Sequence, residues 1–209
     1  MKIKNKVRGW LLDGQYGQPK GLVGRWLGQR MVRQHIPETD WTISLLNLAA
    51  QDQVLELGFG AGRAIELVAT RLSTGQVSGV DISRAMVRAA AHRNARTIKS
   101  GKVLLKQEDL THLSFNSDKF DKVFTIQTLY FWPDLQMALA EIYRVLKPGG
   151  CLVITLSTGT IDGTGLTHYQ QLIDQKVLPV MRHLGFTEAY TREGPLSRQF
   201  KTTAVIGIK

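Results

Sequence analysis

An acid followed by alternating glycines marks the stretch of this sequence that is best suited to bind a ligand. Residues 54–63 read VLELGFGAGR, with Glu56 inside an apolar run and Gly58, Gly60 and Gly62 directly after it. Glycine lets the backbone approach a ligand without a Cβ in the way, and it permits a positive φ. If a helix begins at this turn, its first amides add partial positive charge. The pattern predicts a ligand-binding turn between a strand and a helix.

The spacing of these glycines distinguishes two kinds of nucleotide site. The dinucleotide fingerprint G-x-G-x-x-G places its third glycine three positions after the second. Here Gly62 follows Gly60 by two positions, and Arg63 stands where that third glycine belongs. A carboxylate at Glu56 would also repel a pyrophosphate, whereas it suits a cationic ligand. The turn favours a positively charged nucleoside, and an NAD-dependent oxidoreductase is the alternative.

Two further acids follow the next apolar runs. Asp81 ends the run VSGVD and could accept hydrogen bonds from both hydroxyls of a ribose. Dinucleotide enzymes hold ribose in the same way, so this acid alone does not separate the alternatives. Asp109, in the stretch QEDL, could accept a hydrogen bond from an adenine amino group, with Ile82 and Leu110 on the two faces of the ring. Together these residues predict an adenosine site.

A parallel sheet would bring these acids and glycines together. From residue 52 onward, short runs rich in Val, Ile and Leu alternate with longer helix-like stretches, which is typical of a parallel sheet covered by helices. The predicted strands are 53–57, 76–80, 102–106, 120–126 and 150–157, and the predicted helices are 39–49, 61–72, 83–98, 133–147 and 167–184. Runs at 186–192 and 199–208 predict a terminal hairpin, so the sheet is expected to be mixed. Ligands of such sheets bind beyond the carboxyl ends of the strands, where the acids and glycines lie.

Five stretches of the chain, taken in order, resemble the class I S-adenosylmethionine-dependent methyltransferases: VLELGFGAGR, VSGVDIS, KQEDL, FDKVFTIQTLYFWPD and LKPGG. Within that class the chain is most similar to small bacterial proteins related to the ubiquinone/menaquinone-biosynthesis methyltransferases, over about residues 50–157. The resemblance implies a Rossmann-like α/β fold with a seven-stranded mixed sheet. Its strand order would be 3-2-1-4-5-7-6, with strand 7 antiparallel. The implied cofactor is S-adenosylmethionine (SAM), and the implied product is S-adenosylhomocysteine (SAH).

The resemblance also relates the predicted site residues to parts of the cofactor. It implies Glu56 near the methionine end, with Gly58 and Gly60 against the cofactor. It places Asp81 on the ribose and Asp109 near adenine. The full set of predicted cofactor-binding residues is Glu56, Gly58, Phe59, Gly60, Gly62, Asp81, Ile82, Met86, Asp109, Leu110, Ile126 and Gln127.

The methyl acceptor is expected to lie against the segment that follows the fourth strand. Three aromatic residues stand there in a row, although Phe131 and Trp132 could instead pack beneath the next helix. The predicted substrate pocket consists of Tyr130, Trp132 and His168. His35 and Tyr130 are the candidate bases, and a base is required only if the nucleophile must lose a proton. Because no large inserted domain is evident, we expect a small, apolar or aromatic acceptor that is methylated at O, N or C.

Several other chemistries are not expected. Metal-dependent enzymes of this class place acids after strands four and five. This chain has Gln127 and the pair Ser157-Thr158 in those regions, so no metal is expected. The [D/N/S]-P-P-[Y/F] signature of enzymes that methylate amino groups of nucleic acids is replaced by Ile126-Gln127-Thr128-Leu129. The single cysteine, Cys151, lies in a predicted strand and is interpreted as a core residue.

The front of the chain is strongly basic. The net charge is +10, and the residues before 37 carry eight Lys or Arg against the single acid Asp13. We expect residues 1–49 to form a basic arm and helices on the substrate side, and residues 50–209 to form the SAM-dependent methyltransferase domain. The basic face could belong to a solvated lid, or it could contact an anionic membrane surface.

A nucleic-acid-binding or RNA-modifying role for this arm is a further alternative. It is disfavoured because the arm lacks a regular aromatic–basic surface on which bases could stack. There is no apolar run of about 18 residues and no signal-peptide core. A cytoplasmic protein is therefore expected, and a protein that is peripheral to the membrane through its basic arm is the alternative.

Overall fold

Strands and helices alternate along the part of the chain that the structure describes. This computed structural model describes residues 35–163 and 168–209. The strands are β1 (Gln53–Leu57), β2 (Gln76–Asp81), β3 (Val103–Gln107), β4 (Phe120–Ile126), β5 (Leu146–Thr160), β6 (Glu188–Glu193) and β7 (Phe200–Ile208). The α-helices are α1 (Ile36–Leu45), α2 (Arg63–Arg71), α3 (Arg84–Arg93), α4 (Ala95–Lys99), α5 (Leu135–Val145), α6 (His168–Leu172) and α7 (Leu178–Leu184). A 3-10 turn spans Leu129–Phe131, and a π-helical segment spans Ile173–Val177.

The seven strands form one sheet in the order β3-β2-β1-β4-β5-β7-β6. The pairs among β1 to β5 are parallel, whereas β7 is antiparallel to both of its neighbours. The predicted fold class, including the strand order and the antiparallel seventh strand, is confirmed. The chain reverses its direction of winding between β1 and β4, and ligands of open α/β sheets bind at such a switch point.

Helices cover both faces of this sheet. Neighbouring residues of a strand point to opposite faces, so Leu55 and Val54 of β1 belong to different apolar clusters. Leu55 packs in the cluster that includes Ile142 of α5 and Met181 of α7. Val54 packs in the other cluster, with Ile65 of α2. Each fully buried side chain of this size stabilises the fold by about 1.5–3 kcal/mol, so the central strands are held rigidly beneath the site.

The first described helix begins earlier than predicted. The sequence predicted a helix over 39–49 with Thr39 or Asp40 as its cap, but α1 follows His35 and has Pro37 in its first turn. Proline is favoured there because its missing N–H would lack a helical partner and its φ is already helical. Thr39 Oγ1 instead donates a hydrogen bond to the His35 carbonyl, 2.7 Å away. This earlier start makes His35 the residue that flanks the helix.

Other predicted boundaries also differ from the structure. The predicted helix 83–98 is divided into α3 and α4 at Asn94, whose side-chain amide donates to the carbonyls of Gly62 and Ala90. The predicted helix 167–184 contains the π-helical segment. The predicted strand 150–157 is longer, because Leu146 already pairs with Phe120 before a shift in register.

Residues 1–34 of the predicted basic arm and helices lie outside the described residues. Across residues 35–163 and 168–209, no helix is long and apolar enough to cross a membrane.

Candidate active site

A cavity of about 540 Å³ lies beyond the carboxyl ends of β1, β2 and β4. This volume falls in the range of about 300–1,000 Å³ that is usual for small-molecule sites. Every predicted cofactor-binding residue except Gly62 lines this cavity. Residues that are far apart in sequence meet here because the parallel strands end at the same edge of the sheet.

Glu56, near the end of β1, places a buried carboxylate against the cavity. The residue is only 4% exposed, and its Oε2 atom has no hydrogen-bond partner among the described residues. Burial and the nearby Asp81 carboxylate raise the pKa of Glu56 to about 8. A buried carboxylate with an unsatisfied oxygen is costly unless a cation or donor joins it. The site therefore favours a positively charged ligand.

Asp81, at the end of β2, holds the glycine turn and still offers free acceptor positions. Its Oδ2 accepts a hydrogen bond from the Gly60 amide at 2.9 Å, and its Oδ1 accepts one from the Ser83 amide at 2.8 Å. Burial nevertheless raises the pKa of Asp81 to about 6. Each carboxylate oxygen can accept about two hydrogen bonds, so both can also accept from a ligand that carries paired hydroxyls.

Two glycines of the turn serve different spatial needs. Gly58 has φ of +70°, and a Cβ at this position would lie 2.5 Å from Thr128 Cγ2. Gly60 has φ of +51°, and a Cβ there would meet no atom of residues 35–163 or 168–209 within 4 Å. A side chain on Gly60 would thus enter the open space of the cavity. The absence of this side chain leaves room for a ligand against the backbone.

Gly62, which was predicted to bind the cofactor, is placed away from the cavity. It precedes α2 with φ of +76°, and a Cβ would lie 2.6 Å from Ala90 Cβ and 2.8 Å from Asn94 Nδ2. The glycine lets α2 start against the end of α3. The alternating glycines suggested one shared role, but the third glycine is required by helix packing.

Replacing Gly62 with alanine is expected to lower the free energy of unfolding by about 3 kcal/mol. The left-handed conformation costs an L-residue about 1–2 kcal/mol, and overpacking adds about 1–3 kcal/mol. Gly101→Ala is the matched control because Gly101 also has φ of +76°, but its Cβ would meet no atom within 4 Å in the described part of the chain. Urea denaturation should show a loss of only about 1–2 kcal/mol for that control. Equal losses in the two variants would contradict the packing role of Gly62.

Apolar side chains and one acid form the cavity wall near the ends of β2 and β3. Ile82 is 44% exposed although it is apolar, and it lines the cavity together with Leu110 and the buried Met86. Asp109 Oδ1 accepts hydrogen bonds from the amide and hydroxyl of Thr111, both at 2.9 Å. These contacts fix the carboxylate at the cavity wall. The arrangement suits a flat heteroaromatic ring with a donor on its edge.

Gln127 follows β4 in a left-handed conformation and is locked by polar contacts. Its φ is +59°, and its Nε2 donates to Ser157 Oγ at 3.0 Å. Its Oε1 accepts hydrogen bonds from the Tyr130 hydroxyl at 2.6 Å and from the Ser157 amide at 3.1 Å. A non-glycine residue at positive φ persists only where its surroundings hold it. Gln127 is thereby fixed at the cavity wall.

Tyr130, predicted to be a base and to face the substrate, does not line the cavity. Its hydroxyl oxygen accepts a hydrogen bond from the Ser157 amide at 2.7 Å and lies 2.9 Å from the Ser157 carbonyl oxygen, while its single hydrogen is donated to Gln127. Burial raises the pKa of Tyr130 well above its ordinary value. The Tyr130 hydroxyl contacts Gln127 on the side away from the cavity. The structure therefore does not support a role for Tyr130 as the base.

Trp132 lines the cavity, and its indole N–H has a hydrogen-bond partner within the protein. Its Nε1 donates to Thr128 Oγ1 at 3.1 Å, and Thr128 Oγ1 is in turn paired with Thr125 Oγ1. Phe131 also lines the cavity and is 48% exposed. The two rings thus give this part of the cavity an aromatic, apolar wall.

The two predicted histidines are placed differently. His168 is exposed, stacks at 3.9 Å on Tyr169 and does not line the cavity. His35 lines the cavity, and its Nδ1 lies 3.2 Å from Oε1 of Glu38. Sequence reasoning missed Glu38. The only signal was the spacing of three residues, which places an acid and a histidine on one side of a helical turn.

The strand order, the glycine turn and the two carboxylates define a class I SAM-dependent methyltransferase. The residues fit the cofactor: Glu56 Oε2, which has no hydrogen-bond partner among the described residues, suits a cationic group, and the cavity is open beside Gly60 in the part of the chain that the structure describes. SAM carries an ammonium and a sulfonium group, a ribose and an adenine, and the cavity wall offers carboxylates for cationic and hydroxyl groups and apolar side chains for a ring.

Comparisons with known proteins agree with this class, and the chain belongs to the SAM-dependent methyltransferase family. The family described as "Methyltransferase domain" matches residues 55–154. The uncharacterized methyltransferase YdaC of Bacillus subtilis is 31% identical over 137 residues, which cover 66% of this chain and 74% of that protein. The demethylmenaquinone methyltransferase of Lactiplantibacillus plantarum is 34% identical over 144 residues, which cover 68% of this chain and 60% of that protein.

A solved SAM-dependent methyltransferase from Aquifex aeolicus shares the fold. Its TM-score is 0.69 at 15% identity, over 88% of this chain and 97% of that one. Membership of the methyltransferase family, together with the carboxylates and glycines of the cavity, makes SAM the cofactor of this protein. An NAD-dependent oxidoreductase or a nucleic-acid binder is not favoured by these matches.

Proposed function

We propose that the protein transfers a methyl group from SAM to a small aromatic acceptor that carries a hydroxyl group. When bound, SAM supplies a methyl group that is activated by a positively charged sulfur. The protein has to hold the nucleophile of the acceptor in line with this methyl group and keep water away. The following observations support this proposal.

The carboxylates are proposed to orient the cofactor. Glu56 Oε2, which is buried and unpartnered among the described residues, would accept from the ammonium group. Asp81 would use its remaining acceptor positions for the ribose hydroxyls while it keeps Gly60 in place. Ile82 and Leu110 would cover the two faces of adenine, and Asp109 would accept from its amino group. These roles use the carboxylates of Glu56, Asp81 and Asp109, which all line the cavity.

The aromatic wall of the cavity is the observation that carries the proposed acceptor class. Phe131 and Trp132 present apolar ring surface, and the indole N–H of Trp132 already has its partner in Thr128. Aromatic pairs gain about 0.5–1.5 kcal/mol beyond the burial of their area, so such a wall favours a ring over an aliphatic chain. Relatives of this chain include demethylmenaquinone methyltransferases, whose name also indicates an aromatic acceptor.

The N-terminal region is proposed to contribute to the acceptor side of the cavity. His35 and Thr39 belong to the predicted region 1–49, and both line the cavity, which supports a substrate-side role for α1. Residues 1–34 lie outside the described part of the chain, so the lid and membrane interpretations of the basic arm stay predictions.

A panel of acceptors would test the proposal. Purified protein with SAM should methylate a 1,4-naphthoquinol or a phenol, and mass spectrometry should detect SAH together with an acceptor that has gained one methyl group. Aliphatic amines and alcohols of similar size are the comparison set. Methylation of an aliphatic amine with no turnover of any aromatic acceptor would overturn the proposed class.

Trp132→Ala is expected to raise the KM for the aromatic acceptor about tenfold, because it removes about 1–2 kcal/mol of ring contact. Affinity for SAH, measured by calorimetry, should change by less than a factor of about two. Tyr190→Ala is the matched control, since Tyr190 is an exposed ring on β6 outside the cavity lining. A parallel loss of SAH affinity in Trp132→Ala would show that the indole supports the cofactor instead.

A further inference from the structure

A histidine and a buried acid at the start of α1 form a pair that opens onto the cavity. His35 Nδ1 lies 3.2 Å from Glu38 Oε1. The side chain of His35 is 20% exposed, whereas that of Glu38 is fully buried. His35 lines the cavity and Glu38 does not. The acid therefore lies behind the histidine, and the ring lies between it and the space for substrate.

The burial of Glu38 is not explained by the fold alone. Its Oε2 has no hydrogen-bond partner among the described residues. Burial works to raise the pKa of Glu38, but the interactions with His35 and Ser197 outweigh it and hold the pKa below its ordinary value. An ionised carboxylate in a buried position costs several kcal/mol of solvation. The first turn of a helix offsets only part of this cost, so a functional reason is expected.

We propose that Glu38 is a positioning residue that holds His35 with its proton on Nδ1, so that Nε2 is the base for the methyl acceptor. A carboxylate can only accept a hydrogen bond, so the Nδ1 atom beside it must carry the proton. In the neutral ring the lone pair then lies on Nε2. This inference rests on the proposed function and narrows it to acceptors with an ionisable hydroxyl, such as phenols and quinols.

The proton and electron balance of this step is simple. Nε2 of His35 removes the proton of the acceptor hydroxyl, and the electron pair of that oxygen, or of a ring carbon conjugated to it, forms the bond to the methyl carbon. The methyl–sulfur bond breaks and its electron pair stays on sulfur. The imidazolium, stabilised by Glu38, later releases its proton to solvent. No oxidant, reductant or metal is required.

The tautomer of His35 can be measured without any acceptor. Nitrogen-15 NMR of the full chain with SAH bound should show His35 with a protonated Nδ1 and an unprotonated Nε2 in its neutral form. The chain has five histidines, so the spectrum of His35→Asn identifies the signal. A dominant Nε2–H tautomer would overturn the inference, whatever the acceptor proves to be.

Kinetics with two acceptors would separate a base from a structural residue. His35→Gln should lower kcat about a hundredfold for an unsubstituted phenol, because a positioned base contributes at least that factor. The same variant should retain its rate within about threefold for 4-nitrophenol at about pH 8, since that acceptor is already largely ionised. Equal losses for both acceptors would contradict the role of His35 as a base.

Glu38→Gln should lower kcat for the phenol about tenfold, with a smaller change in KM. Asp40→Asn is the matched control because Asp40 is an exposed acid on the same helix, and it should leave both constants unchanged. If the wild-type protein methylates neither phenol, the proposed acceptor class fails, and the NMR measurement still decides the tautomer.

Discussion

Asp81→Ala is expected to weaken SAH binding about a thousandfold. The carboxylate is proposed to accept hydrogen bonds from two ribose hydroxyls, and bonds to a charged group contribute about 1.5–3 kcal/mol each. A total of about 4 kcal/mol corresponds to three orders of magnitude in Kd. The same carboxylate accepts the Gly60 amide at 2.9 Å, so its loss also frees the glycine turn. Isothermal titration calorimetry with SAH measures the effect directly.

Two controls distinguish a lost ligand contact from a lost fold. Asp81→Asn keeps one acceptor oxygen and should weaken SAH binding about ten- to thirtyfold. Its Kd should therefore lie between the values of the wild-type protein and of Asp81→Ala. Asp118→Ala removes an exposed acid whose side chain pairs with Lys209, and it should leave the Kd of SAH unchanged. Wild-type affinity in Asp81→Ala would contradict the ribose assignment and, with it, the proposed cofactor orientation.

The fold was predictable because its strands carry their own signals. β1 and β2 are apolar runs that are buried on both faces, and they lead into Gly58 and end at Asp81 respectively, which is typical of parallel strands. Since β1 pairs with β2, Glu56 lies opposite Gly79, and Asp81 ends the neighbouring strand. Adjacent strands thus bring the two acids to one edge. Helix boundaries were less predictable, since Asn94 divides a helix through contacts with a distant carbonyl.

Two predicted site residues that do not line the cavity, Gly62 and Tyr130, contact partners far away in the sequence. Gly62 is needed for its packing against Ala90, and the Tyr130 hydroxyl is taken by the backbone of Ser157. The sequence around Gly62 or Tyr130 contains no pattern that indicates these partners. Glu38 was overlooked because an acid in a first helical turn is usually an exposed residue that favours the helix dipole. Its burial arises only when α1 packs against the sheet, where Thr42 donates to Thr155.

Glu56 is expected to destabilise the protein progressively as the pH rises from about 4.5 to about 8. In the unfolded chain this carboxyl ionises near 4.5, whereas burial and Asp81 raise its pKa in the folded protein to about 8. Between these values the folded protein holds a proton that the unfolded chain has lost, so stability falls as pH rises and levels off above about 8. Glu56→Gln, which removes this penalty, should be more stable than wild type by about 2–4 kcal/mol at pH 8.5 and nearly equal at pH 5. Urea denaturation of the cofactor-free protein at the two pH values tests this.

Glu56→Gln should weaken SAH binding about a hundredfold at pH 8.5. Removing one partner of a buried ion pair costs about 3–5 kcal/mol, and part of this cost is offset because the variant no longer buries a charged carboxylate. The affinity of the wild-type protein for SAH should increase from pH 6 to 8.5, because Glu56 becomes able to ionise over this range. In the variant, the affinity for SAH should depend on pH only below about pH 6, and more weakly, because only Asp81 then titrates. Glu188→Gln, an exposed acid of β6, is the control for both measurements. A variant that is less stable than wild type at pH 8.5, or a wild-type affinity that does not change with pH, would contradict the assignment of the cofactor ammonium group to Glu56. A gain in stability together with a loss of affinity would mean that the protein keeps a destabilising carboxylate because its ligand is a cation.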